Sequence, residues 1–180
     1  SSLVQTRSDG SSEFIEYIGN AASGSNYGLE VSGEFNATER VMLYSSAGIL
    51  KTKYKTFINS AGENLNGRQQ AHAPNYQYTL GISAKLNSAL EFDANLQGRD
   101  RFFFSDSHSG QSEKYNLLNA SVRYSRKDWR LTVWGRNINN QDYLVRGFFF
   151  GNDPRDNYNP KSYTQLGEPA RYGVTLNLDF

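Results

Sequence analysis

The sequence predicts an all-β chain, an antiparallel transmembrane β-barrel segment of about eight meander strands, on three observations. The first is the closing run 170–180, where Ala170, Tyr172, Val174, Leu176, Leu178 and Phe180 alternate with Arg171, Gly173, Thr175, Asn177 and Asp179. Period-2 alternation marks a strand whose two faces meet different media. The second is length. At about 3.3 Å per residue and a tilt of roughly 40°, this run rises about 28 Å, close to the ~25 Å apolar band of an outer-membrane barrel. The third is the order of connections. Counted back from Phe180, the long polar gaps 58–75, 105–114 and 151–169 fall at one end and the tight turns at the other. Transmembrane barrels have short turns on one side and longer loops on the other.

Composition excludes several classes. With 19 basic and 18 acidic residues and no basic run, no field of one sign is available to attract nucleic acid or anionic lipid. Without cysteine there is neither a disulfide framework nor a thiolate metal site. No apolar run approaches the roughly 20 residues of a membrane helix, and no leader-like segment opens the chain. A mean hydropathy of -0.68 is compatible with a barrel, because a spanning strand shows lipid only every second side chain. The aromatic share is the more telling figure: 14%, with 12 Tyr and 11 Phe.

Taken in order, 1–9 is a short strand and 10–13 a tight turn. The chain is extended again from Phe14, with a bulge expected at 20–24. Tyr27, Leu29, Val31, Gly33, Phe35 and Ala37 then share one face. The strand 41–57 has competing sets, Val41, Leu43, Ala47 and Ile49 against Met42, Tyr44, Leu50 and Tyr54, so its facing stays open. Tyr76 to Leu86, Leu90 to Arg99, Leu118 to Tyr124 and Trp129 to Arg136 each alternate cleanly. Parity breaks at 137–140, and 143–150 leads into the longest loop, 151–169.

The apolar face is uncharged over its middle, whereas the other carries Glu30, Glu34, Lys85, Glu91, Asp93, Arg99, Arg123, Arg130 and Arg136. Long strands of this kind put the apolar set toward lipid and the charged set toward a wet lumen. Tyr54, Phe57, Phe102 to Phe104 and Phe148 to Phe150 stand at the loop ends; Phe35, Trp129 and Phe180 stand at the turn ends. Two interfacial aromatic belts are the expected reading.

Three segments carry a family likeness: Asn20-Ala21-Ala22 with Tyr27-Gly28-Leu29-Glu30; Trp134-Gly135-Arg136-Asn137-Ile138-Asn139-Asn140-Gln141-Asp142-Tyr143; and Gly167-Glu168-Pro169-Ala170-Arg171-Tyr172-Gly173-Val174 running to Phe180. Together they resemble the barrel of TonB-dependent outer-membrane receptors, with Ala170 standing where an arginine commonly sits. The resemblance implies that 1–180 is the C-terminal part of a 22-stranded barrel domain without its plug, in the bacterial outer membrane. It further implies active transport of a scarce ligand, foremost a ferric siderophore or similar chelate. The implied partners are the TonB complex (through the plug), the lipid bilayer and the small-molecule metal chelate.

The expected ligand-binding residues lie in the long loops: His72, His108, Phe149, Arg155 and Tyr158. No resident cofactor is expected. Asn152, Asp153, Asp156 and Asn157 offer oxygen ligands, but without EF-hand spacing they read as turn residues. Ser105-Asp106-Ser107-His108 contains the residue types of a hydrolase, yet neighbours on a loop seldom hold reactive register, so no catalytic residue is assigned. The rival readings are a complete eight-stranded barrel acting as adhesin or pore, an outer-membrane hydrolase using His108, and a soluble β-sandwich binder.

Overall fold

The computed structural model describes residues 2–6, 12–16, 23–59 and 61–179, with side chains described from Ser23 onward. Strands β1 (Ser2–Thr6) and β2 (Ser12–Glu16) pair as an antiparallel hairpin. Then come β3 (Ser23–Asn36), β4 (Val41–Thr56), β5 (Tyr76–Lys85), β6 (Leu90–Arg99), β7 (Tyr115–Ser125) and β8 (Trp129–Arg136). The chain closes with β9 (Leu144–Phe150), a 3-10 turn at Pro154–Asp156, β10 (Lys161–Leu166) and β11 (Arg171–Leu178).

The main sheet has seven strands in the order β11-β8-β7-β6-β5-β4-β3, all antiparallel. It is an open meander: among the described residues β3 pairs only with β4 and β11 only with β8. The terminal ladder ends one residue past β11, where Asp179 N–H donates to the Asp128 carbonyl at 3.0 Å. Part of the expected bulge is seen as a register shift between Ser23 and Gly24; its remainder, positions 10–11 of the expected turn 10–13 and Phe180 lie outside the described residues, while Ser12 and Glu13 of that turn belong to β2.

Register settles the facing of β4. Val41, Leu43, Ala47 and Ile49 pair with Ala84, Ile82, Tyr78 and Tyr76 of β5, and Leu43, Ala47 and Ile49 also pair with Phe35, Val31 and Leu29 of β3. Paired residues share a face, so the odd set joins the apolar surface and Met42, Tyr44 and Leu50 join the polar one. Tyr44 belongs there chemically: its hydroxyl reaches both carboxylate oxygens of Asp93 at 3.2 Å, and its ring lies on Gly81.

The apolar surface faces outward, with Leu29 65%, Leu80 52%, Val133 51%, Val174 65% and Leu176 56% exposed. So large an apolar expanse needs a nonpolar medium. The opposite face is laced by polar contacts, including Glu91–Arg123 at 3.0 Å, Asn119 to Asn95 at 3.0 Å and Trp134 Nε1 to Thr175 at 3.1 Å. The described buried apolar residues are few (Leu65, Ala73, Phe102 and Phe104), and all lie in loops rather than between sheets.

Two expectations are corrected here. The loop 151–169 is shorter than its polarity suggests, because Lys161–Leu166 forms β10 against β9. The triplet Phe102 to Phe104 is not a simple girdle either. Phe102 and Phe104 are buried at 3% and 6%, while Phe103 lies beneath the Arg68 guanidinium at 4.0 Å. Exposed aromatics near the loop ends include Tyr27, Tyr76 and Tyr172, together with Phe148 and Phe149 of the second triplet.

The parity break at 137–140 has a specific structure. Asn137 and Asn140 adopt left-handed backbone (φ 47° and 46°), a region Asn tolerates better than most residues. Their side chains replace lost ladder bonds. The Asn137 amide donates to the carbonyls of Gln141 and Glu168, both at 3.0 Å, and Asn139 accepts from Leu118 N–H and donates to the Asn116 carbonyl. Asn140 accepts from Ala170 N–H at 3.0 Å. The paired breaks at 137–143 and 167–170 therefore interrupt one long hairpin, leaving β9–β10 as its outer half.

Candidate functional site at the loop end

Two layers make up the site. The lower layer is a groove of about 640 Å³ along the polar face, lined among others by Glu30, Gln77, Gln97, Arg99, Tyr115 and Tyr143. Its walls follow directly from strand parity: Glu30 lies on β3, Gln77 on β5, and Gln97 and Arg99 on β6. Tyr115 and Tyr143 rings pack at 4.5 Å between centroids, tilted by 37°. Donors, acceptors, both charges and aromatic faces thus border the groove, a composition suited to a polar ligand with ring character.

The upper layer is the loops 57–75 and 100–114 with the outer hairpin. Arg68 joins them. Its guanidinium donates to the carbonyls of Ser105 and His108, the latter at 2.8 Å, and stacks over Phe103. Charge-assisted bonds to two carbonyls of one loop fix its path strongly. Phe102 N–H donates to Ser112 Oγ at 3.0 Å, Ser112 N–H to the Phe102 carbonyl at 2.9 Å, and Gln70 N–H to Thr52 Oγ1 at 3.0 Å. Such bonding makes these segments a built canopy rather than loose connections.

Of the residues expected from sequence, three converge. His72, in left-handed backbone (φ 55°), packs its ring against Phe102 at 5.5 Å, and its N–H donates to the Phe103 carbonyl at 2.8 Å. Phe102 meets Phe104 edge-on at 5.8 Å, and Phe104 lies against Gly147 of β9. His108 then approaches Phe149 at 6.3 Å. Burial, with a smaller contribution from the Arg68 charge, lowers the His108 imidazole below its ordinary 6.5. Arg155 and Tyr158 sit apart, on the hairpin tip. Arg155 is held by Asp153, donating Nε–H and a terminal N–H to its carboxylate at 2.9 Å, and these bonds keep that carboxyl below the usual range.

The tip's acids are already engaged by cations, Asp153 by Arg155 and Asp156 by Lys161. Both carboxylates thus face cations of their own hairpin tip. His108 Nδ1 accepts from Gly110 N–H at 3.1 Å, while the Ser105 and Ser107 hydroxyls bond each other at 2.8 Å. Sequence reading missed Arg68 and the groove residues. Nothing marks Arg68 among the other cations, because its partners lie 37 and 40 positions away. Strand parity did place Glu30 and Arg99 on the polar face, but not across a groove.

A meandering sheet with apolar side chains outward, a polar concave face and long ordered loops at one end defines a β-barrel membrane protein wall. The family can be stated. Residues 2–138 match the model of the TonB dependent receptor-like β-barrel, and the chain belongs to that family. Its fold is similar to that of Fiu, the ferric-catecholate import receptor of E. coli K12, in a closed-form crystal structure. The TM-score is 0.63 at 18% identity, over 98% of this chain. The chain spans 23% of that receptor's length.

Proposed function

We propose that this chain is the C-terminal part of the barrel domain of a TonB-dependent transporter in the bacterial outer membrane, which imports a scarce metal chelate, foremost a ferric siderophore. The supporting observation is the vertical order of the molecule. An outward apolar belt, an inward polar groove and a bonded canopy of loops follow one another along the same strands. The canopy captures ligand, and the groove borders the passage along the plug that the rest of a 22-stranded barrel encloses. Energy enters through the TonB complex acting on that plug. The chelate class follows the family and the name of the Fiu receptor, a ferric-catecholate importer.

A self-contained eight-stranded barrel is disfavoured by the open sheet, since closure requires its edges to pair. The test is growth of iron-starved cells that carry the intact receptor as their sole uptake route for ferric catecholates. Rescue that depends on both receptor and TonB is expected. Arg68→Ala should weaken ferric-catecholate binding at least tenfold, from the loss of two charge-assisted bonds of about 1.5–3 kcal/mol each, while membrane insertion persists. Growth that ignores the receptor for every ferric chelate supplied defeats the proposal.

A further inference from the structure

Beyond Ile49, β4 reads Lys51-Thr52-Lys53-Tyr54-Lys55, an alternation with a second consequence. Thr52 is buried at 5% and its Oγ1 accepts from Gln70 N–H, so the even residues of this stretch face the canopy. Lys51 and Lys53 therefore face the other way, in line with Leu43, Ala47 and Ile49. Lys51 pairs with Tyr27 and Lys53 with Ser25, while Lys55 sits at the register shift beyond them. All three are exposed, and none forms an ion pair among the described residues. No acid stands at an outward position of β3 or β5, the strands that flank β4, and Asp100, past the end of β6 beside Tyr76, accepts from Asn75 at 3.0 Å.

A row of cations on the lipid-facing side, one step above an apolar belt and level with an outward tyrosine, stands at headgroup height. Alternate residues are about 6.6 Å apart, so adjacent ammonium groups can share one phosphate or hold two on one headgroup. We propose that Lys51 and Lys53 form a binding site for a phosphate-bearing lipid of the outer leaflet, its acyl chains lying along Leu29, Ala47 and Ile49. The inference rests on the outer-membrane reading above. Charge complementarity and continuity with the apolar belt choose the occupant: a free anion uses only the lysines, whereas an anionic lipid uses both parts.

The test uses the intact receptor in neutral detergent, titrated with bisphosphorylated lipid A, with its doubly dephosphorylated form and with inorganic phosphate. Native mass spectrometry reads occupancy. Each lysine near a membrane surface contributes about fivefold, so Lys51→Gln/Lys53→Gln should weaken lipid A binding by about 25-fold. Lys85→Gln, on the inward face at the turn end beside Glu91, should leave it unchanged. Equal lipid A affinity for parent and double variant overturns the site, and so does full competition by inorganic phosphate at matched concentration. Should the glutamine pair not assemble, Lys51→Glu and Lys53→Glu singly replace it under the same criterion. A receptor that never acquires heat-modifiable mobility in lipid breaks the outer-membrane reading itself. One that acquires it while lipid A affinity stays unmoved breaks only the lysine site.

Discussion

Leu80 and Thr79 are consecutive residues at the middle of β5, and placing an arginine at each in turn separates the membrane reading from any soluble one. Leu80 faces outward, paired with Ser45 and Leu96 and 52% exposed. Thr79 faces the groove, paired with Ser46 and Gln97. On a water-exposed sheet Leu80→Arg would be nearly neutral, since exposed substitutions usually stay within about 0.5 kcal/mol. At a bilayer midplane the same change costs about 2–4 kcal/mol, or roughly 30- to 900-fold in the folding equilibrium. Thr79→Arg enters a wet groove already bordered by Glu30 and should cost under about 1 kcal/mol. Denaturant titration of the intact receptor in phospholipid vesicles, with folded fraction read by heat-modifiable gel mobility, gives both values. Equal costs, or a larger cost at Thr79, would refute the assignment of faces.

Two further outcomes follow from local geometry. A Cβ on Gly81 would stand 2.0 Å from the Tyr44 ring, so Gly81→Val should cost about 1–3 kcal/mol through overpacking. Combined with Tyr44→Ala, the double variant should cost less than the two single losses together, and strict additivity in the same titration would count against the contact. For His108 the sign is set by its lowered folded value. The unfolded loop binds more protons, so the neutral imidazole's contribution is present above about pH 6.5 and is lost as pH falls below it. Hydrogen exchange over 100–114, corrected for intrinsic rate, should therefore speed up between pH 7.5 and 5.5, and His108→Phe should flatten that dependence.

Strand identity was legible because each spanning strand meets two media and writes them as alternation. Tyr76–Lys85, Leu90–Arg99 and Trp129–Arg136 fall where that pattern predicts. It failed where both sets carry rings or aliphatic groups, as in β4. There Tyr44 and Leu50 face inward, and only register with β3 and β5 reveals it. It failed again in β10, whose Lys161-Ser162-Tyr163-Thr164-Gln165 run is polar because this outer hairpin stands beyond the apolar belt. Polarity alone could not tell such a strand from a loop.

The candidate site was legible only in part. His72, His108 and Phe149 could be chosen as aromatic, ligand-capable side chains in long gaps, and the structure gathers them around Phe102 and Phe104. Arg155 and Tyr158 were chosen on the same ground, yet they lie on a tip where Asp153 occupies Arg155.

Alternation, length and the order of loops and turns determined from sequence alone that this chain forms a membrane-crossing meander with a charged inner face. These are local properties, since each side chain's direction follows from its neighbours along one strand. The facing of β4, the burial of the phenylalanine triplet and the union of loops through Arg68 were decided only in three dimensions. Each depends on a partner tens of residues away, and the free energy of such a contact leaves no trace in the composition of either segment.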